Sequence, residues 1–202
     1  MKQEYKVLLF SVVIILILTL IGRMNEGNND IPMDPEVTIG KLENGLTYYI
    51  RNNKKPENRL EMLLVVNAGA VLESDEQQGL AHFLEHMAFN GTKNFPKQDL
   101  VDYLESIGMD FGPDLNAYTS FDETVYILQV PADDPEKLDK GFQILSDWAY
   151  NITLEGEEID KERGVVIEER RLGQGAWMRM INKQLPVMLK DSKYAQRLPI
   201  GQ

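Results

Sequence analysis

The chain has 202 residues, 43% hydrophobic and 26% charged, which are the proportions of a globular protein with a core to bury. Its formal net charge is -11 and its lysines and arginines form nothing longer than short pairs, which argues against nucleic acid or an anionic membrane surface as partner. With no cysteine it has no disulfides, thiolate metal sites or cysteine nucleophile.

Lys2 and Lys6 precede an uncharged apolar run over 7–22. Residues 1–22 therefore read as a signal peptide or an uncleaved signal anchor. The absence of a clear small-x-small cleavage site after the run favours the anchor. Residues 23–35 are polar and rich in turn formers, a linker ahead of a folded domain over 36–202.

In that domain Asn44-Gly45 marks a turn, followed by a β-rich stretch over 47–50. The apolar run over 60–66 predicts a second strand, covered on both faces. Ser74 or Asp75, with Gln77 or Gln78 three residues on, predicts the cap of a helix that ends near Asn90-Gly91. Pro96 and Gly108 bracket a second helix with Leu100, Val101, Leu104 and Ile107 on one face. Two strands over 114–120 and 123–130 form a hairpin turning at Phe121-Asp122. Asp134 and Pro135 open a third helix, whose stripe of Leu138, Phe142, Leu145, Trp148 and Ile152 reads as plain core. A further helix spans 155–172. The expected fold is α+β, with a mixed, largely antiparallel sheet covered by helices on one face.

The first of these helices carries the chemistry. It holds both histidines of the chain, in the order His82-x-x-Glu85-His86. A helical step of four turns the chain about 400° and raises it about 6 Å, so both imidazoles share a face, with Glu85 close beside it. Such a pair can bind one metal ion, and the carboxylate can act on a water there. The competing account is an ordinary core helix. It would bury two imidazoles and a carboxylate among Leu80, Phe83, Leu84 and Met87 without partners, which is costly.

A catalytic zinc site normally takes three protein ligands. No third histidine and no cysteine exists, so the third ligand is Asp or Glu. On a helical wheel over 155–172, Ile159, Val165, Val166 and Leu172 fall in one arc, expected to face the core, and Glu162 and Glu169 fall in the same arc. Glu158 shares it but sits in the first turn, where the helix dipole already favours it. Pairing of Glu162 and Glu169 with Arg163 or Arg170 is the competing account. Geometry alone leaves the choice between the two glutamates open.

The stretch 79–92 (GLAHFLEHMAFNGT) and the stretch 162–169 (ERGVVIEE) resemble the two motifs of the pitrilysin/insulinase zinc metallopeptidases, which carry the inverse His-x-x-Glu-His signature. The resemblance runs from about residue 37 to the end of the chain. It implies a processing-peptidase-like domain with one Zn²⁺ held by His82, His86 and Glu169. Glu85 matches the general base acting on a metal-activated water, and Glu162 matches a carboxylate that supports the site from behind. The stretch 115–119 (LNAYT) is similar to the family's edge strand, which makes Asn116 and Ala117 substrate-binding residues for a peptide added as a β-strand.

The implied activity is endoproteolysis of peptides or unfolded polypeptide, outside the cytoplasm, in a bacterial periplasm or cell envelope. Membrane contact would come through the N-terminal segment alone. Family members are built from two related halves, so the chain is expected to be incomplete at its C-terminus and to need a second homologous half or subunit. A non-catalytic binding subunit of the same fold is the alternative. Such subunits usually lose a histidine or the base, and all four residues are present here.

Overall fold

The computed structural model describes residues 32–110 and 112–201, which form two units divided between Lys54 and Lys55. The expected signal segment lies outside the described residues, as does most of the linker. Among the described residues no helix is long and apolar enough to cross a membrane.

The first unit is an antiparallel hairpin of β1 (Val37–Lys41) and β2 (Thr47–Arg51), in which Ile39 faces Tyr49. Its turn is closed by Leu42 N–H donating to Leu46 O at 2.8 Å, and Gly45 takes φ 93°, which suits a residue without Cβ. β1 is an element the sequence reading lacked. It is five residues long with Gly40 inside it, too short and too interrupted to show a period.

The second unit runs in this order: β3 (Arg59–Val66), a 3₁₀ turn (Ala70–Leu72), α1 (Leu80–Met87), α2 (Asp99–Ser106), β4 (Leu115–Thr119), β5 (Thr124–Pro131), α3 (Pro135–Tyr150), α4 (Gly156–Gly173), α5 (Ala176–Met188) and a second 3₁₀ turn (Lys193–Gln196). Its sheet has the order β3-β5-β4, antiparallel throughout, so the fold is α+β as expected. The register places Met62 opposite Leu128 and Leu64 opposite Tyr126 on one side, and Leu115 opposite Leu128 and Ala117 opposite Tyr126 on the other. Alternation then brings Leu60, Met62, Leu64, Leu115, Ala117, Tyr126, Leu128 and Val130 to one face. This face forms the core with Leu100 and Leu104 of α2 and Ile144 and Trp148 of α3. Asp134 caps α3 by accepting from Glu136 N–H at 2.9 Å.

Three expectations about burial need correction. β3 is an edge strand with only its core-side residues covered; Leu63 and Val65 on the other face are 59% and 51% exposed. The strand covered on both faces is the central β5. Phe142 of the α3 stripe is 58% exposed, and Gly141 and Ile144 are buried beside it instead. The arc on α4 does not sink into the core: none of its residues is buried, and Val165 and Leu172 are exposed. α5, with Trp177, Met180 and Val187 exposed, is a helix with no counterpart in the sequence reading.

Candidate metal centre

α1 lies against both the sheet and α4, and it is fixed at both ends. At its start the Glu73 carboxylate accepts from Gly79 N–H at 2.9 Å and Ala81 N–H at 2.8 Å. This satisfies helix donors and places a negative charge at the positive end. The expected cap from Ser74 or Asp75 is therefore replaced by a residue slightly upstream, because residues 74–79 form turns and the helix begins only at Leu80. Glu73 is itself tied down, its carbonyl accepting from Lys193 Nζ at 3.1 Å and from the buried Arg197 Nε at 3.2 Å. Gly79 has φ 91° and meets Gly201 closely, so the C-terminal segment seats on the helix start.

At the other end of α1, Trp148 Nε1 donates to Ala88 O at 3.2 Å. The next loop is held by Asp147, which is 1% exposed. Its carboxylate accepts from Thr92 Oγ1 at 2.7 Å, Asn94 N at 3.0 Å, Asn94 Nδ2 at 2.8 Å and Asn151 Nδ2 at 3.1 Å. Burial acts to raise the Asp147 pKa, but these donors outweigh it and hold the group below the usual carboxylate value.

Held this way, α1 turns both imidazoles toward α4. His82 Nε2 and His86 Nε2 are 3.2 Å apart, and Glu169 Oε2 lies 3.6 Å from the first and 3.2 Å from the second. All three donor atoms fall within 4.8 Å of one another, a group that could hold a metal ion. Tetrahedral zinc with bonds of about 2.0–2.1 Å separates its ligand atoms by about 3.3 Å, so the donor spacing fits that ion. Tautomer chemistry agrees. His86 Nδ1 is 2.7 Å from Glu162 Oε1, and an ionised carboxylate only accepts, so Nδ1 carries the proton and Nε2 keeps its lone pair. Two imidazole nitrogens and a carboxylate oxygen crowded together repel unless a cation or protons join them.

Glu162 is held in turn by Asn90 Nδ2, which donates to its other oxygen. The structure thus separates the two glutamates of the arc: Glu169 meets the ring nitrogens that face the cleft, and Glu162 meets the back of His86. Neither pairs with Arg163 or Arg170; Arg163 lies 3.7 Å from Asp160 instead. Burial pushes His82 below the ordinary histidine value against the opposing pull of Glu169, which favours the neutral, ligating form. His82 Nδ1 is buried without a hydrogen-bond partner among the described residues.

Glu85 lies beside this group, 8% exposed, and Thr119 Oγ1 donates to its Oε2 at 2.7 Å. Tyr126 packs nearby, its pKa pushed up to about 12 by burial first and by the charge of Glu85 second. Asn116, Ala117, Tyr118 and Thr119 form one wall of a cleft of about 790 Å³, with Pro199 and Ile200 elsewhere on its lining. Backbone pairing of Ser120 with Glu123 and of Gln129 with Asp114 sets the phase of the ladder. Asn116 and Tyr118 therefore spend their backbone groups on β5, and Ala117 and Thr119 turn theirs to the free edge. Asn116 uses its side chain locally, accepting from Ala117 N at 2.9 Å.

Thr119, Asn90 and Glu73 were missed as site residues. Signals existed for two of them. Asn90 stands four residues after His86, and Thr119 shares a strand face with Ala117. Glu73 offered none, since its bonds close a turn rather than a repeat.

An α+β domain bearing two histidines and a glutamate on facing helices, with a second buried glutamate alongside, has the site architecture of a metallopeptidase. The family model described as insulinase, peptidase family M16, matches residues 48–197, and the chain belongs to that family. The probable zinc protease PqqL of Haemophilus influenzae is 42% identical over 174 residues, which cover 86% of this chain and 19% of that protein. The zinc protease PQQL-like of Arabidopsis thaliana is 47% identical over 162 residues, covering 80% of this chain and 17% of that protein. The crystal structure of the first half of the periplasmic protease PqqL from Escherichia coli matches with TM-score 0.82 and 40% identity, over 85% of this chain and 37% of that one. The chain thus spans about a fifth of the length of the curated relatives it matches.

Proposed function

We propose that this domain is the zinc-binding part of an extracytoplasmic endopeptidase. His82, His86 and Glu169 hold the ion, Glu85 is the general base, and the substrate is an extended polypeptide laid along β4. The convergence of the three donor atoms within 4.8 Å is the observation that carries this reading.

A bound zinc ion supplies Lewis acidity to the attacking water and the scissile carbonyl. Glu162 fixes the His86 tautomer from behind, and Asn90 fixes Glu162. Thr119 occupies one oxygen of Glu85, which leaves the other to take the proton of the attacking water and pass it to the leaving amine. The Ala117 carbonyl and the Thr119 backbone groups face the free edge of β4, so the peptide is held mainly by its main chain and side-chain selection is loose.

Activity belongs to an assembly larger than this chain, in which a homologous half covers the cleft. Location outside the cytoplasm follows the periplasmic relative and the basic-then-apolar N-terminus, which serves as signal or anchor.

The test is a zinc titration by chelator competition alongside a quenched-peptide assay. One zinc should bind per chain, and His82→Ala, His86→Ala or Glu169→Ala should abolish high-affinity binding. Glu85→Gln should keep the metal and lose cleavage. Zinc affinity unaffected by Glu169→Ala would overturn the assignment. The cleavage arm is read in the complete assembly, where equal cleavage by Glu85→Gln and the parent would remove the base.

A further inference from the structure

We infer that the cavity beside Glu169, on the α4–α5 side of the cleft, is a substrate subsite that takes a carboxylate. The inference rests on the peptidase reading above. The cavity measures about 450 Å³ and is lined by α4, α5 and residues of the C-terminal segment. It shares Glu169 and Ile200 with the metal cleft, so a chain lying in one can reach the other.

Among the described residues its lining holds one cationic side chain, Arg170. Arg170 has neither an ion pair nor a hydrogen bond among the described residues. The neighbouring arginines are all engaged: Arg163 lies 3.7 Å from Asp160, Arg171 2.6 Å from Glu168, Arg179 donates to Gln174 O at 2.9 Å, and Arg197 pairs with Asp75. In a chain of net charge -11, an unmatched guanidinium next to a metal ligand is a site with unused capacity.

Among the described residues the one carboxylate on the lining is Glu169, which is turned to the histidines. Four amide side chains, Gln78, Gln174, Asn182 and Gln196, complete the polar lining, and none of them has a side-chain hydrogen bond among the described residues. Leu185 and Leu198 supply apolar wall for methylene groups. A carboxylate entering here meets a planar five-donor cation and amide N–H groups. A lysine or arginine meets like charge, and a purely apolar side chain leaves those donors unused.

The carboxylate can come from an acidic side chain or from the free C-terminus of a peptide, and the experiment separates the two. The zinc-loaded complete assembly, with Glu85→Gln in this chain, is titrated with labelled peptides by anisotropy. One set has amidated ends and a single Glu stepped along a neutral sequence; another has Gln throughout and a free carboxylate end. The reference has Gln and an amidated end.

One Glu position, or the free end, should bind about tenfold tighter than the reference, with the gap shrinking as salt rises. Arg170→Gln should erase the gap and Arg170→Lys should keep it. Arg170→Glu should favour a stepped Lys instead, with zinc affinity unchanged in all three. Equal binding of all peptides by the parent, or a preference that survives Arg170→Gln, overturns the subsite while the peptidase reading stands. If even the reference peptide fails to bind the zinc-loaded complete assembly, the peptidase reading fails and takes the subsite with it.

Discussion

At the residue scale, the site is built from carboxylates whose roles differ only by what each oxygen touches. Glu162 is bound to His86 Nδ1 and to Asn90, so in the proposed site it sets a tautomer and stays off the metal. Glu162→Gln keeps the shape but loses the charge that supports the imidazole, and zinc affinity should fall about 10–100-fold in a competition titration. On the proposed reading Thr119 acts one step from chemistry, by fixing Glu85. Thr119→Val removes a hydrogen bond to a charged group, worth about 1.5–3 kcal/mol. In the active assembly kcat should drop about ten- to hundredfold, with zinc content and KM unchanged, and Thr119→Ser should recover most of the loss. A fall in KM-limited binding alone would mean that Thr119 merely shapes the strand. At this scale the histidine helix was legible in the sequence because a four-residue spacing has one meaning on a helix. The wheel over 155–172 narrowed the third ligand to a shared arc, but it could not choose Glu169 over Glu162. That choice depends on which side of His86 each carboxylate reaches, and a wheel carries no partner helix.

At the element scale, two loops determine where α1 and β4 sit. Gly69 passes so close to the β4–β5 turn that a Cβ there would lie 2.5 Å from Ser120 O and 2.7 Å from Glu123 N. Those atoms are backbone and cannot swing away. Gly69→Ala should therefore push the turn out and weaken the Ala70–Ser120 and Val71–Phe121 hydrogen bonds, at a cost of about 1–3 kcal/mol in urea unfolding. It should also weaken peptide binding, because Thr119 adjoins the displaced turn. The other loop hangs on Asp147. Its folded pKa is lowered, so its contribution is present in full above the unfolded value of about 3.9 and is lost as pH falls through the lower folded value. Asp147→Asn should cost about 1–3 kcal/mol at neutral pH. The stability gap between parent and variant should then narrow only below about pH 4, and an unchanged gap in acid would count against this linkage. Elements were legible where period and caps agree, as in α3 with Asp134 and Pro135. They were not legible where burial depends on neighbours. β3 reads as a covered strand by composition, yet it lies at a sheet edge, and no local pattern distinguishes the two.

For the whole molecule, the same limit explains the exposed faces. The sequence reads the apolar arc of α4 as core-facing, but its Val165 and Leu172 stay exposed, as does Ile167 outside the arc, with Trp177 and Val187 of α5 also open, at 68% and 75%. Hydrophobic periodicity reports that a face is to be covered and not by which chain segment. Scattered apolar exposure is ordinary, but several large side chains on two successive helices are the composition of an association surface. The net charge of -11 opposes association by long-range repulsion, which salt screens over about 8–10 Å. The two effects respond oppositely to salt, and that makes the surface testable. The 202-residue chain should self-associate with rising concentration in light scattering, and more strongly at high salt. Trp177→Glu with Val187→Lys should suppress this without lowering zinc affinity, since neither residue lines the metal cleft. Association that weakens with salt would instead assign it to charge pairing, and the apolar face of α4 and α5 would then have no role in it.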